Sequence, residues 1–265
     1  MGDTSTLYLE IYRSRYLKTN LSKHQLDKNS SALNSTSIII RSNSKTQCRI
    51  LVFLKIDIFN FRRSAAATGD GKGGQLITGG YKDSYISSSM RYNELGWSAG
   101  PELPEEKEYH CQVEVDDKVI VIGGRGRGDI ATPLTYILEE DNWRQSEKMV
   151  TARDGHSCAV LNKNVYAIGG YSYWGGGYVI SVEVFESETE TWTAAPDLPY
   201  ELAYAQAFVH DASVYVIGGY NGSVYNKNVL KLNDDGWDIV TEIEPMGDRS
   251  IFPALVLDEN SFNCI

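Results

Sequence analysis

The sequence predicts an all-β fold built from short antiparallel strands in a repeated arrangement, and three observations carry that prediction. The 265 residues include 24 Gly, 17 Tyr and 5 Trp against 7 Phe and 4 Met. That mix favours strands joined by tight turns over a Leu- and Ala-rich helical bundle. Runs rich in β-branched residues end in a glycine doublet at four places: Gly79-Gly80, Gly123-Gly124, Gly169-Gly170 and Gly218-Gly219, with first-glycine spacings of 44, 46 and 49. A tryptophan follows each doublet at a similar distance: Trp97, Trp143, Trp192 and Trp237.

Hydrophobic residues at 42% and charged residues at 23% place the chain among globular proteins, away from wholesale disorder. Its first part is built differently from the rest. Residues 1–63 carry 11 Lys or Arg against 4 Asp or Glu, whereas the remainder carries 14 against 31. Residues 1–61 are therefore expected to be a basic, Ser- and Asn-rich, largely disordered lead, least ordered over 18–48. Within it, residues 48–61 (CRILVFLKIDIFNF) have strand character. They are too short and too charged to span a bilayer, so no membrane insertion is expected. No secretory signal is visible at the N-terminus, which points to a cytoplasmic location, with an extracellular one open if the chain is a fragment of a secreted protein. The acidic body argues against nucleic acid as a partner.

Each period of the repeat reads the same way. A first strand-like run precedes a second that ends in Gly-Gly; a variable loop follows, then an alternating apolar segment (SSSMRYNE, TPLTYILEE, SVEVFESE, NVLKLNDD), a polar turn and a last strand opening with Trp. Four strands repeated at this interval describe one propeller blade, a sheet that buries both faces only when neighbours stack on it. The Gly pair permits close backbone approach or positive φ. The Trp supplies an apolar plate expected to be buried between blades.

Strand, Gly-Gly, aromatic strand and Trp in four registered copies resemble the kelch repeat. The resemblance implies a kelch-type β-propeller with four full four-stranded blades over residues 62–265. The repeat is phased on Arg153-Asp154-Gly155-His156-Ser157, and the offset from Arg153 to Gly169, carried back from Gly79, places Arg63 at the start of the first repeat. The same offset from Arg249 puts the next doublet at position 265, so an incomplete fifth repeat is expected. The family usually closes rings of five to seven blades. Two readings follow: a fragment, or four blades closing, with residues 48–61 donating an outer strand to the unfinished repeat. The other reading of the lead is a low-complexity tail.

Cys48, Cys111, Cys158 and Cys264 form no CxxC pair, and buried reduced thiols are the plainer reading, with a Cys111–Cys158 disulfide across neighbouring blades as the alternative. His110 and His156 stand at equal distances before Gly123 and Gly169, where the other copies have Ala66 and Ala205, and they read as packed blade-core imidazoles. GDGKGG (69–74) lacks the Lys-Ser/Thr ending of a phosphate loop and reads as a hairpin turn. Neither a metal nor a cofactor is expected, and no catalytic residue stands out.

The loops after the doublets carry the residue types that dominate recognition: Tyr81, Arg125, Arg127, Tyr171, Tyr173, Trp174, Tyr220 and Tyr225. In kelch adaptors that recruit substrates to ubiquitin ligases, the residue after the doublet often lines the binding rim, and the resemblance places Tyr81, Arg125, Tyr171 and Tyr220 there. The adaptors' BTB region has no counterpart in the lead. The bland alternative is that these rings pack on neighbouring loops. The expected function is a non-enzymatic module binding a protein or peptide, favouring an acidic or amide-rich turn at a positive, aromatic spot around Arg125, Arg127 and the tyrosines. The alternative is a carbohydrate-active enzyme on a kelch-like scaffold, of the sugar oxidase or sialic acid isomerase type. Fold alone does not choose between them, and the oligomeric state stays open.

Overall fold

The computed structural model describes residues 8–11, 38–41, 62–242 and 254–256. Two compact units divide the chain, residues 1–50 with 252–265, and residues 51–251. In the smaller unit, β1 (Tyr8–Ile11) pairs antiparallel with β2 (Ile38–Arg41). The expected outer strand at 48–61 lies outside the described residues. Of residues 18–48, only β2 is described.

The larger unit holds four four-stranded antiparallel meanders in sequence order. Blade 1 consists of β3 (Ala66–Gly69), β4 (Gln75–Thr78), β7 (Ser89–Asn93) and β8 (Gly96–Ala99), with a small hairpin, β5 (Tyr81–Lys82) and β6 (Ser84–Tyr85), in the loop after its doublet. Blade 2 is β9 (Cys111–Val115), β10 (Lys118–Ile122), β11 (Thr135–Glu139) and β12 (Asn142–Gln145). Blade 3 is β13 (Ser157–Leu161), β14 (Asn164–Ile168), β17 (Val182–Glu186) and β18 (Thr191–Ala195), with the hairpin β15 (Tyr171–Ser172) and β16 (Gly177–Tyr178). Blade 4 is β19 (Ala203–His210), β20 (Ser213–Tyr220), β21 (Asn228–Asn233) and β22 (Gly236–Glu242). The first strands of successive blades lie side by side. Of the residues expected to open a fifth repeat, only β23 (Ala254–Val256) is described; it pairs parallel with β2 in the smaller unit.

Local chemistry explains the meanders. Asp116-Asp117, Glu140-Asp141, Asn162-Lys163 and Asp211-Ala212 take positive φ at both positions, the tight hairpin geometry whose twist matches that of the strands it joins. Asp116-Asp117 and Glu140-Asp141 are thus solvent-facing hairpin turns. Both residues of all four doublets have positive φ. Gly80, Gly124 and Gly170 donate their N–H across the blade boundary to Lys107 O, Arg153 O and Leu202 O at 2.8, 2.9 and 2.8 Å. A Cβ on Gly79, Gly123 or Gly169 would stand 2.5, 2.6 or 2.2 Å from those same carbonyls, so the doublet is where one blade's backbone docks on the next.

A cation caps the first carbonyl of three doublets, and in two of them it is fully buried. Arg153 Nη1 donates to Gly169 O at 2.8 Å and Lys107 Nζ to Gly123 O at 3.0 Å. Each of these has an acidic partner, Glu183 for Arg153 and Glu105 for Lys107. In blade 1 the role falls to the half-buried Arg62, whose Nη1 donates to Gly79 O at 2.9 Å. The phasing that placed Arg63 there is one residue off. Blade 1 pairs Ala66 with Thr78, whereas blade 3 pairs Ser157 with Ile168, so the first hairpin is one residue longer. The extra residue sits in the Asp70–Gly74 turn, where Asp70 Oδ1 accepts the Lys72 and Gly74 amides. That slip aligns Ala65, not Ala66, with His110 and His156.

The core lies between blades. Val113, Val115, Ile120, Ile122, Ile137, Val165 and Phe185 fill the space between blades 2 and 3, and Ile168, Leu202, Val214, Val216 and Leu230 that between 3 and 4. The tryptophans are half-buried rather than buried, because they sit on the outermost strand of each sheet. Each of the last three sends its indole N–H back across the boundary: Trp143 to Pro101 O (3.1 Å), Trp192 to Glu147 O (3.1 Å) and Trp237 to Pro196 O (2.9 Å).

Cys111 and Cys158 are joined by a disulfide, Cα atoms 6.1 Å apart, against the expectation of free thiols. Cys111 follows its histidine by one residue and Cys158 follows His156 by two. Side chains alternate faces along a strand, so that odd offset turns Cys111 towards blade 3 and Cys158 back towards blade 2. No helix among the described residues is long and apolar enough to cross a membrane.

Candidate functional site

The loops after the doublets and the residues leading into each first strand share one rim. Backbone bridges join them: Arg63 with Tyr81, Glu108 with Arg125, and Asp154 with Tyr171, while Ala203 pairs with Tyr220. The next residue in each repeat, Ser64, Tyr109, Gly155 and Tyr204, has φ of 55°, 52°, 57° and 57°. Their amides run from blade to blade: Tyr109 N–H donates to Ser64 O at 3.0 Å, Gly155 N–H to Tyr109 O at 2.9 Å, and Tyr204 N–H to Gly155 O at 2.7 Å. Three non-glycine residues held in left-handed backbone are strain that the surrounding packing supports.

On blades 3 and 4 the predicted Tyr171, Tyr220 and Tyr225 are linked through Tyr178 into a chain of ring contacts. Tyr171 meets Tyr178 at 5.0 Å, Tyr178 meets Tyr220 at 5.8 Å, and Tyr220 meets Tyr225 at 5.0 Å between centroids. Tyr173 and Trp174, at the tip of the β15–β16 hairpin, meet edge to face at 5.1 Å and are 61% and 75% exposed. On blade 1, Tyr81 is half-buried, with the Arg63 guanidinium 4.6 Å above its ring and Tyr85 at its edge.

The positive spot expected around the arginines is offset by carboxylates. Arg125 pairs with Glu108 at 3.0 Å and stacks 4.9 Å over Tyr109. Arg127, on the turn Arg127–Asp129, pairs with Glu106 at 2.9 Å and borders a cleft of about 700 Å³ with Ile130 and Pro133. The two arginines lie on blade 2, and Arg125 leads through Tyr109 to Tyr204 on blade 4, whose ring meets Tyr109 at 5.4 Å.

Sequence reasoning missed Tyr109, Tyr178, Tyr204, Glu108 and Asp154. Glu108 and Asp154 are each 1% exposed, and Glu108 Oε2 and Asp154 Oδ1 have no hydrogen-bond partner among the described residues. Burial pushes the Asp154 carboxyl up to about 6, with Arg125 acting against it. Burial, then the Asp154 charge, raises the Tyr204 phenol. Tyr85 is pushed up to about 12 by burial and by its hydrogen bond to Asp129. The available signal was the repeat itself: the residue two before each histidine is acidic in blades 2 and 3. Burial also lowers both imidazoles, His110 to about 3 and His156 well below its ordinary value, so both are neutral.

Stacked antiparallel blades docked through glycine doublets, with aromatic loops on one rim, define a β-propeller repeat protein. The Kelch motif family profile matches residues 152–199, the third blade. Alpha-scruin of Limulus polyphemus is 29% identical over 159 residues, covering 56% of this chain and 17% of that one. Kelch-like protein 23 of Homo sapiens is 29% identical over 176 residues, covering 62% and 31%. The solved structure of YjhT superposes with a TM-score of 0.64 over 75% of each chain at 13% identity, a likeness of fold. Residues 152–199 thus match the Kelch motif, the chain is similar to kelch-repeat proteins over its propeller blades, and it spans less than a third of the length of these two sequence relatives.

Proposed function

We propose that this protein is a non-enzymatic binding module that takes a protein or peptide on the rim formed by the post-doublet loops. Kelch-repeat propellers are typically protein-interaction modules, which supports the coarse reading. The observation that carries the finer one is the Tyr173–Trp174 pair. Both rings stand on a hairpin anchored to blade 3, largely exposed, with no packing role in the repeat. Large aromatic side chains presented on a rigid support dominate binding hot spots. The tyrosine chain from Tyr171 to Tyr225 extends the same surface across blade 4. Because Arg125 and Arg127 are already paired, aromatic contact and amide hydrogen bonding, more than net positive charge, would select the partner.

A random peptide library displayed on phage and selected on the whole chain tests this. The expected result is enriched peptides that lose at least about 2 kcal/mol of affinity on Trp174→Ala, the scale of a true hot spot, with the melting temperature unchanged. Enriched peptides that bind Trp174→Ala and Tyr173→Ala as tightly as the unaltered chain would remove this rim from consideration.

A further inference from the structure

The interfaces between blades 1 and 2 and between blades 2 and 3 contain equivalent histidines in unlike surroundings. At the first, Thr78 O–H donates to the Gln112 carbonyl oxygen, so the His110 Nε2–H donates to Thr78 Oγ1, at 2.8 Å. Gln112 in turn donates to Leu76 O at 2.9 Å. At the second interface every polar partner is replaced. Ile122 stands where Thr78 does, and Cys158 where Gln112 does. His156 is 7% exposed, and neither of its ring nitrogens has a hydrogen-bond partner among the described residues. A buried imidazole whose N–H finds no acceptor loses its hydration without compensation. What faces it instead is sulfur: Cys111 Sγ, Cys158 Sγ and a His156 ring nitrogen all lie within 4.8 Å of one another.

We propose that, once the Cys111–Cys158 disulfide is reduced, these two sulfurs and His156 form a binding site for Zn²⁺, with water as the fourth ligand. Two thiolates and an imidazole are the donor set this borderline-soft ion takes. At metal–sulfur and metal–nitrogen lengths of about 2.3 and 2.1 Å, tetrahedral ligands stand about 3.5 to 3.8 Å apart. Three donors already within 4.8 Å reach that spacing by small movements of sulfurs no longer bonded to each other. The strands suit the purpose, because Cys111 and Cys158 come from the first strands of two blades whose backbones are docked by the Gly124 N–H to Arg153 O hydrogen bond at 2.9 Å. A phosphine reductant and water convert the disulfide to two thiols and a phosphine oxide, two electrons passing from phosphorus to sulfur. Zn²⁺ then displaces the two thiol protons, which are released to solvent. The interface therefore has two alternative clasps between blades 2 and 3, a covalent one under oxidising conditions and a metal one under reducing conditions.

The test uses the whole chain, oxidised or reduced with a phosphine and desalted under nitrogen, with Co²⁺ as spectroscopic probe and Zn²⁺ as competitor. The expected result is a near-ultraviolet thiolate-to-cobalt charge-transfer band in the reduced protein only, equimolar with protein and displaced by Zn²⁺ with release of protons. Zn²⁺ should also raise the melting temperature of the reduced chain and leave the oxidised chain unchanged. Cys158→Ser should abolish the band, and His156→Gln should weaken Zn²⁺ binding by more than about tenfold while shifting the cobalt ligand-field absorption. Near-ultraviolet circular dichroism of each variant, against the reduced unaltered chain, separates ligand loss from unfolding. A reduced chain that shows no charge-transfer band would overturn the proposal. So would a His156→Gln protein with unaltered affinity and spectrum, or a reduced chain whose tertiary signal is lost and is not restored by Zn²⁺.

Discussion

The Tyr204 ring occupies the place where a side chain on Gly155 would stand: a Cβ on Gly155 would lie 2.4 Å from Tyr204 Cε1. The same two residues are joined by the Tyr204 N–H to Gly155 O hydrogen bond at 2.7 Å, and Tyr204 reaches past the vacant position to meet Tyr109 at 5.4 Å. Gly155 has φ of 57°, a left-handed conformation that costs an alanine about 1 to 2 kcal/mol before any clash is counted. Gly155→Ala is therefore expected to lower stability by about 2 to 4 kcal/mol in urea titration. Combining it with Tyr204→Ala should recover the clash part and leave the backbone part, so the two changes are non-additive. Additive losses would show that the ring does not hold this position.

Trp192 spans the boundary between blades 2 and 3. Its indole packs on Phe185 at 5.2 Å, and its N–H serves both Thr135 Oγ1 and Glu147 O. Trp192→Ala should cost about 3 kcal/mol, and Trp192→Phe, which keeps a ring but no donor, about 1 kcal/mol. A loss under about 1 kcal/mol for the alanine variant would count against its bridging role.

Arg125 and Arg127 look equivalent in sequence and should behave differently. Arg125 neutralises Glu108, whose carboxylate is 1% exposed, whereas Arg127 is on the surface with Glu106. Removing one partner of a buried pair leaves an uncompensated charge, so Arg125→Ala should cost about 3 kcal/mol. Arg127→Ala should leave the melting temperature essentially unmoved, because solvent screens an exposed pair. Thermal melts of the two variants side by side decide this, and equal shifts would refute it.

Arg144 links blades 2 and 3 through Glu139 and Glu190, donating to Glu139 Oε2 at 2.8 Å and Glu190 Oε2 at 2.7 Å. Hydrogen bonding to Arg144, with a further bond to Lys118, holds the Glu139 carboxyl down at about 2, and Glu190 is lowered by the same guanidinium. For carboxylates depressed in the folded state, the stabilisation is present above the ordinary value near 4.5 and is lost as pH falls towards 2. The pair is partly exposed, so the effect is modest, within about 1 kcal/mol. Glu190→Gln should flatten the stability profile across that window when urea midpoints are compared from pH 5 down to the acid limit. An unchanged slope would mean that the linkage contributes nothing in solution.

The repeat, the blade boundaries and the doublets were legible in the sequence, because Gly-Gly and Trp answer a backbone requirement that recurs every blade: positive φ and a carbonyl within about 3 Å leave no alternative to glycine. The hairpin turns and the aromatic loops were legible for the same local reason. The first repeat was misphased by one residue, since a turn can absorb an inserted residue without altering either strand, and spacing counts cannot see where it went. What only the tertiary structure decided is how blades face each other. It half-buried the tryptophans, turned Cys111 and Cys158 towards one another, offset Arg125 with Glu108, and set Tyr204 over Gly155. The tryptophans' half-burial follows from their outermost strand, and the Arg125–Glu108 pair from the bridge between two loops of one blade. The disulfide and the Tyr204–Gly155 contact depend on which face a side chain takes at a blade boundary, between residues far apart in the chain. A one-residue offset reverses that face, and only the packed blades supply the partner.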